Sequence, residues 1–124
     1  MPTPAKILVV DDESLTCFLL HEYFEGRYQV ETAFNGSEAL RKVKEFQPDC
    51  MLLDIRMPDM DGIEVLRTVK QMHSEVKVIM ITAIGCADLA KECLSLGAFD
   101  YIVKPLDLDA LETQIQSALD HRLP

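Results

Sequence analysis

The sequence predicts an α/β fold in which five strand–helix units wind into one parallel sheet with helices on both faces. Short apolar runs bounded by turn residues alternate five times with segments whose apolar residues recur at helical spacing. Most of the strand runs are continuously apolar, as strands buried on both faces are, and such burial belongs to parallel sheets. The chain has 124 residues, 48% apolar and 27% charged, enough for one compact core and too few for two. A single domain over 1–124 is therefore expected, and right-handed crossovers leave few ways to wind it.

Taken in order, Ile7 to Val10 is a strand that ends on Asp11, Asp12 and Glu13. Ser14 is a helix cap, and Leu15, Phe18, Leu19 and Phe24 form a helical stripe stopped by Gly26. Tyr28 to Ala33 alternates weakly and reads as a second strand. Asn35-Gly36-Ser37 turns the chain, with Ser37 as the cap of a helix striped by Ala39, Leu40, Val43 and Phe46 and ended by Pro48. Cys50 to Leu53 is a third strand, and it stops on Asp54. Gly62 opens a helix with Ile63, Leu66, Val69 and Met72 on one side. Val76 to Ile81 is the fourth strand and ends on Thr82-Ala83. A helix over Ala87 to Leu96 is closed by Gly97. Phe99 to Val103 is the fifth strand, ending on Lys104-Pro105. The last helix, Asp107 to Asp120, carries Leu108, Leu111, Ile115 and Ala118 and fades into Leu123-Pro124.

Four of these strands end on polar groups, and in a parallel sheet those ends share one edge, where ligands of open α/β folds bind. Asp11, Asp12, Asp54, Thr82 and Lys104 are thereby gathered from across the chain. Each has a plainer role: acidic residues suit a helix N-terminus, Thr82 could cap, and Lys104 could be solvated. Together they describe something else. Packed carboxylates repel and raise one another's pKa, which a divalent cation relieves. Oxygen ligands with room for water suit Mg²⁺. A hydroxyl and a compact ammonium beside them fit a phosphoryl group, and a carboxylate can attack phosphorus to form an acyl phosphate, with Asp54 the natural nucleophile.

Other classes are set aside. A net charge of −9 opposes nucleic-acid binding. No apolar run reaches membrane-span length, and the first residues lack a secretion signal's apolar core. Cys17 and Cys50 sit in apolar patterns, and Cys86 and Cys93 are too far apart for a CxxC unit, so reduced thiols in the cytoplasm are expected. His21, His73 and His121 lack ligand spacing. The stretch Asp59-Met60-Asp61-Gly62 fails as a calcium loop, because the first and twelfth ligand positions would be Met57 and Thr68. Met51, Met57, Met60, Met72 and Met80 read as core and loop packing.

Four stretches carry a resemblance over nearly the whole chain: Leu8 to Glu13, Asp54 to Gly62, Ile81-Thr82-Ala83, and Gly97 to Pro105. In this order the sequence resembles the receiver domain of two-component response regulators. The resemblance implies a flavodoxin-like (βα)5 fold, a doubly wound parallel sheet with strand order 2-1-3-4-5. It implies that Asp54 accepts a phosphoryl group from a histidine kinase or phosphotransfer protein. Asp11, Asp12, Asp54 and the Arg56 backbone carbonyl would hold Mg²⁺, Asp11 mostly through water. Thr82 and Lys104 would hold the phosphoryl oxygens, and Arg56 and Ile84 would flank them and tune hydrolysis. Tyr101 resembles the family's switch aromatic, turning inward when Thr82 moves, and the Lys104–Pro105 bond would be cis.

The output surface so implied comprises Ala87 to Leu96, Phe99 to Val103 and Asp107 to Asp120. It would meet an effector protein, a fused output domain or, on phosphorylation, a second copy. The stretches 82–85 and 97–100 resemble receivers attached to transcriptional or enzymatic effectors. The module would be a switch rather than a turnover enzyme. The alternative is a Mg²⁺-dependent phosphatase with an aspartyl nucleophile. Haloacid-dehalogenase-like enzymes need a second Asp two residues on, where this chain has Arg56. A flavodoxin-like electron carrier would want a Ser/Thr/Gly-rich loop after the first strand, where Asp11-Asp12-Glu13 would repel the flavin phosphate.

Overall fold

The computed structural model describes residues 4–120. Five strands run in the chain order β1 Lys6–Val10, β2 Gln29–Ala33, β3 Cys50–Leu53, β4 Lys77–Thr82 and β5 Asp100–Val103. They pair in parallel in the spatial order β2-β1-β3-β4-β5, the flavodoxin-like arrangement. The register sets Val10 opposite Leu53, Leu53 opposite Met80, and Thr82 opposite Val103. The helices between them are α1 Ser14–Phe24, α2 Gly36–Phe46, α3 Gly62–Met72, α4 Ala87–Ser95 and α5 Leu108–Asp120.

Side chains alternate across a strand, so each central strand feeds two cores. Leu8, Val10, Met51, Leu53, Val78 and Met80 point to one face, where α2, α3 and α4 bring Ala39, Val43, Leu66, Val69 and Cys93. Ile7, Val9, Cys50, Leu52, Ile79 and Ile81 point to the other, against Cys17, Leu20 and Phe24 of α1 and Leu111, Ile115 and Ala118 of α5. Each such large side chain, fully buried, contributes about 1.5–3 kcal/mol. This double burial explains why the central strands read as unbroken apolar runs. The edge strand β2 keeps Glu31 exposed, and its sequence alternates accordingly.

Several expectations change in detail. In α1 the residues that pack are Cys17, Leu20 and Phe24, while Leu15, Phe18 and Leu19 are 62%, 60% and 52% exposed. The helix is apolar on more than one side, so spacing alone could not choose its buried face. Met72, expected in the core, lies in the last turn of α3 and is 70% exposed. Neither expected serine cap is one. Glu13 stands at the start of α1 without a side-chain cap bond, and Asn35 caps α2 by accepting from the Glu38 N–H at 2.8 Å. Gln47, left-handed at φ 55°, closes α2 before Pro48 is reached. Leu123-Pro124 and His121 lie outside the described residues.

Candidate functional site

The C-terminal ends of β1, β3, β4 and β5 form one edge, and the polar groups named from the sequence meet there. Two backbone bonds seat the acidic pair: the Asp54 N–H donates to Val10 O at 3.0 Å and the Asp11 N–H to Ala33 O at 3.1 Å. Asp11 and Asp54 are buried and Asp12 is exposed. One carboxylate oxygen from each of the three lies within 4.8 Å of the others. Asp11 Oδ1 also accepts the Glu13 N–H at 2.9 Å, which turns the chain into α1.

Lys104 spans the cluster. Its Nζ donates to Asp11 Oδ2 at 2.7 Å and to Asp54 Oδ2 at 3.2 Å. The Lys104 N–H donates to Thr82 O at 2.8 Å, which fixes where that side chain starts, and the Lys104–Pro105 peptide is cis. Burial pulls the ammonium pKa down, but Asp11 and then Asp54 outweigh it, so the group is held above its ordinary value. Asp54 is raised, first by burial and then by the Asp11 charge, with Lys104 offsetting only part. A buried carboxylate at once disfavoured as an anion and aimed at a cation is poised to gain from a further positive charge.

Thr82 is 1% exposed, and its Oγ1 accepts the Ile84 N–H at 3.2 Å. The half-buried Tyr101 donates its hydroxyl to Ile84 O at 2.5 Å, so both side chains hold the same loop residue. An open groove of about 460 Å³ adjoins the edge, lined by Ile55, Arg56, Met57, Ile63, Ile84 and Leu89 along with Asp61.

The loop after Asp54 folds back under it. The Gly62 N–H donates to Ile55 O at 2.7 Å, and Asp61 caps α3 by accepting the Ile63 N–H at 2.6 Å. A Cβ on Gly62 would stand 2.1 Å from Asp54 O, so only glycine permits this return. Sequence reasoning missed two features. Lys104 reaches Asp11 as well as Asp54, and Asp59 leaves its own loop to bind the start of α2. No spacing signals the first. The second carried a cue in Asn35-Gly36-Ser37, a helix start with more free N–H groups than its own residues can satisfy. The histidines contribute no metal cluster among the described residues, and His21 instead pairs with Glu22 and Glu25.

The family model of the response regulator receiver domain matches residues 7–116. The chain is 45% identical over 116 residues to the transcriptional regulatory protein ZraR of Klebsiella oxytoca, covering 93% of this chain and 26% of that protein. It thus spans about a quarter of the length of such regulators. It is 41% identical to sporulation initiation phosphotransferase F of Bacillus subtilis, covering 92% of this chain and 93% of that one. Among solved structures, a CheX-CheY-BeF3-Mg complex from Borrelia burgdorferi superposes with a TM-score of 0.88 at 38% identity, over 93% of this chain and 89% of that chain. No helix among the described residues is long and apolar enough to cross a membrane.

Proposed function

The chain belongs to the response regulator receiver family of two-component signalling, and on that basis we propose that it is a phosphoacceptor switch with Asp54 as the acceptor. The observation that carries the reading is the carboxylate triad within 4.8 Å, with Lys104 bonded to two of its members. Three hard oxygen donors, one of them exposed, fit Mg²⁺. Asp11, Asp12, Asp54 and the Arg56 backbone carbonyl would hold it, and bound there it would offset the negative charge of acceptor and donor.

An Asp54 carboxylate oxygen attacks phosphorus. The phosphorus–nitrogen bond of a phosphohistidine on a kinase or phosphotransfer protein breaks, and its electron pair leaves on the imidazole nitrogen. Lys104 shifts from Asp54 toward the new phosphoryl oxygens while keeping Asp11. The Thr82 hydroxyl, now accepting from Ile84, turns to donate to another of those oxygens. Tyr101 is coupled to that move through their shared hold on Ile84. Arg56 and Ile84 line the neighbouring groove and would govern how readily water reaches the acyl phosphate.

The output is a protein contact on the face made by α4, β5 and α5, where Leu94 and Val103 are 47% and 44% exposed. An effector, a fused output domain or a second copy would read it. The exposed Leu19 of α1 borders a hollow shared with Lys104, Pro105 and Leu106. The chain turns over no external substrate. Four free thiols suit a reducing compartment, the cytoplasm.

The test is phosphorylation with acetyl phosphate and Mg²⁺, read by intact mass. One acid-stable, base-labile phosphoryl group is expected on the native chain and none on Asp54→Asn. Labelling that persists in Asp54→Asn moves the nucleophile elsewhere. Beryllofluoride with Mg²⁺ should then shift amide resonances from Asp54 through Thr82 and Tyr101 to Leu89, Lys91 and Asp100. Shifts confined to the Asp11 and Asp54 loops rule out the proposed output face.

A further inference from the structure

Asp59 has no part in the chemistry above, yet it is the most extensively bonded side chain of the loop that follows Asp54. Its carboxylate accepts the Gly36 N–H at 2.8 Å, the Ser37 N–H at 3.0 Å and the Ser37 hydroxyl at 2.8 Å. With Asn35 taking the Glu38 N–H, the first three N–H groups of α2 are all satisfied. Two of them are met by a residue from another loop, 23 and 22 positions away. An acidic group at a helix N-terminus is also favoured by the helix dipole. The three donors, the Ser37 hydroxyl foremost, hold the Asp59 carboxyl below its ordinary range.

A second, independent observation shows that this contact is built rather than incidental. A Cβ on Gly36 would lie 2.6 Å from the Met60 Cβ. The loop is pressed onto the start of α2 so closely that only glycine fits beneath it. At its other end the loop is tied by Gly62 to Ile55 and by Asp61 to α3. Arg56 lies between these anchors, with its N–H 3.4 Å from Asp54 Oδ1.

We infer that Asp59 is a positioning residue: by docking on the first turn of α2 it holds the Arg56 peptide in place for the metal and phosphoryl chemistry at Asp54. This role rests on the reading of the site given above. Asp59 touches no reacting atom. It acts through the backbone of residues 56–59, in the manner of the outer groups that orient metal ligands.

The experiment compares the native chain with Asp59→Ala, Asp59→Asn and Gly36→Ala. Three quantities are read: amide hydrogen exchange at Gly36, Ser37 and residues 55–61, Mg²⁺ affinity by calorimetric titration with the metal alone, and the initial rate of phosphorylation by acetyl phosphate. Asp59→Ala should speed exchange in the loop while β3 and β4 amides keep their protection, and should weaken Mg²⁺ binding on the order of tenfold. Asp59→Asn keeps one acceptor oxygen and should recover part of that loss. Gly36→Ala perturbs the contact from the opposite side and should reproduce it. An Asp59→Ala protein that loses protection at Gly36 and Ser37 yet keeps native Mg²⁺ affinity and rate overturns the role. Failure of the site reading looks different. The native chain itself would then bind no Mg²⁺ and take up no phosphoryl group, and the role would fall with it.

Discussion

Alanine at Gly62 probes how tightly the loop after Asp54 is folded under it. The new Cβ would sit 2.1 Å from Asp54 O and 2.7 Å from Ile55 Cα, whereas Cβ atoms essentially never approach a neighbour closer than 3.0 Å. Both obstacles are backbone, so no flexible side chain can give way, and relief requires the loop to move by about an ångström. That motion breaks the 2.7 Å bond from the Gly62 N–H to Ile55 O. Overpacking of this kind costs about 1–3 kcal/mol and the lost hydrogen bond about 1 kcal/mol more. The melting temperature should fall by roughly 10 °C. Function should fall further, because a displacement of about an ångström at a reacting group can cost on the order of a hundredfold in rate. Urea denaturation and the initial rate with acetyl phosphate measure the two effects. Gly26→Ala is the control: its φ of +97° is strained for alanine but nothing stands within 4 Å, so stability should drop with the rate unchanged. A Gly62→Ala protein with native stability and native rate would refute the claim that this return path needs glycine.

Asp54→Asn should be more stable than the native chain at neutral pH without Mg²⁺. Burial and the Asp11 charge raise the Asp54 carboxyl above its ordinary 3.8, so the folded state binds that proton more tightly than the unfolded chain. The ionised form therefore costs stability above the folded value, and the cost fades as pH falls through it toward 3.8. Urea midpoints at neutral and acid pH should converge at the acid end, and a less stable Asn variant at neutral pH contradicts the reasoning. Mg²⁺ should stabilise the fold by mass action, about 1.4 kcal/mol at ten times its dissociation constant. Asp12→Ala should lose most of that gain, and an equal gain in thermal melts of both proteins would argue against the triad. Burial pushes the Cys17 thiol to about 11 and the Cys50 thiol to about 12, and Cys93 is also buried. A thiol reagent at mild alkaline pH should count one fast cysteine, Cys86, in the folded chain and four after unfolding, so a second fast thiol would show the core to be looser than described.

Legibility in the sequence followed the strength of the physical constraint. Strands buried on both faces must be apolar along their whole length, so Ile7 to Val10 and Cys50 to Leu53 announce themselves, and a parallel sheet then carries Asp11 and Asp54 to one edge. Helix α1 was the opposite case. Leu15, Phe18 and Leu19 are as apolar as Leu20 and Phe24, so no pattern says which set faces β1. Caps failed where a partner came from afar. Ser37 has the right chemistry for a cap, but Asn35 stands at the turn, and Asp59 takes the N–H that Ser37 itself exposes. The Lys104 bridge depends on a long side chain folding back across two strands, which tertiary structure alone decides.

The strand register also gives this edge a profile. Asp11 and Asp54 follow the paired residues Val10 and Leu53, so they stand at one height. Leu53 pairs with Met80, which puts Ile81 level with Asp54 and Thr82 one residue higher, and Thr82 pairs with Val103, which lifts Lys104 one residue higher again. Each step is about 3.3 Å. The edge is thus a terrace, low over β1 and β3 and rising toward β5. On the proposed reading, a group attached to Asp54 would grow up alongside the higher strands, and Thr82 would stand one step above to meet it. On that reading the length of β4 would matter to function. Deleting one residue there would lower the hydroxyl by a full step and turn it to the wrong face of the sheet. The same deletion in β2, whose end carries none of these side chains, would disturb the Ala33 carbonyl that seats Asp11 but leave the steps from β3 to β5 in place.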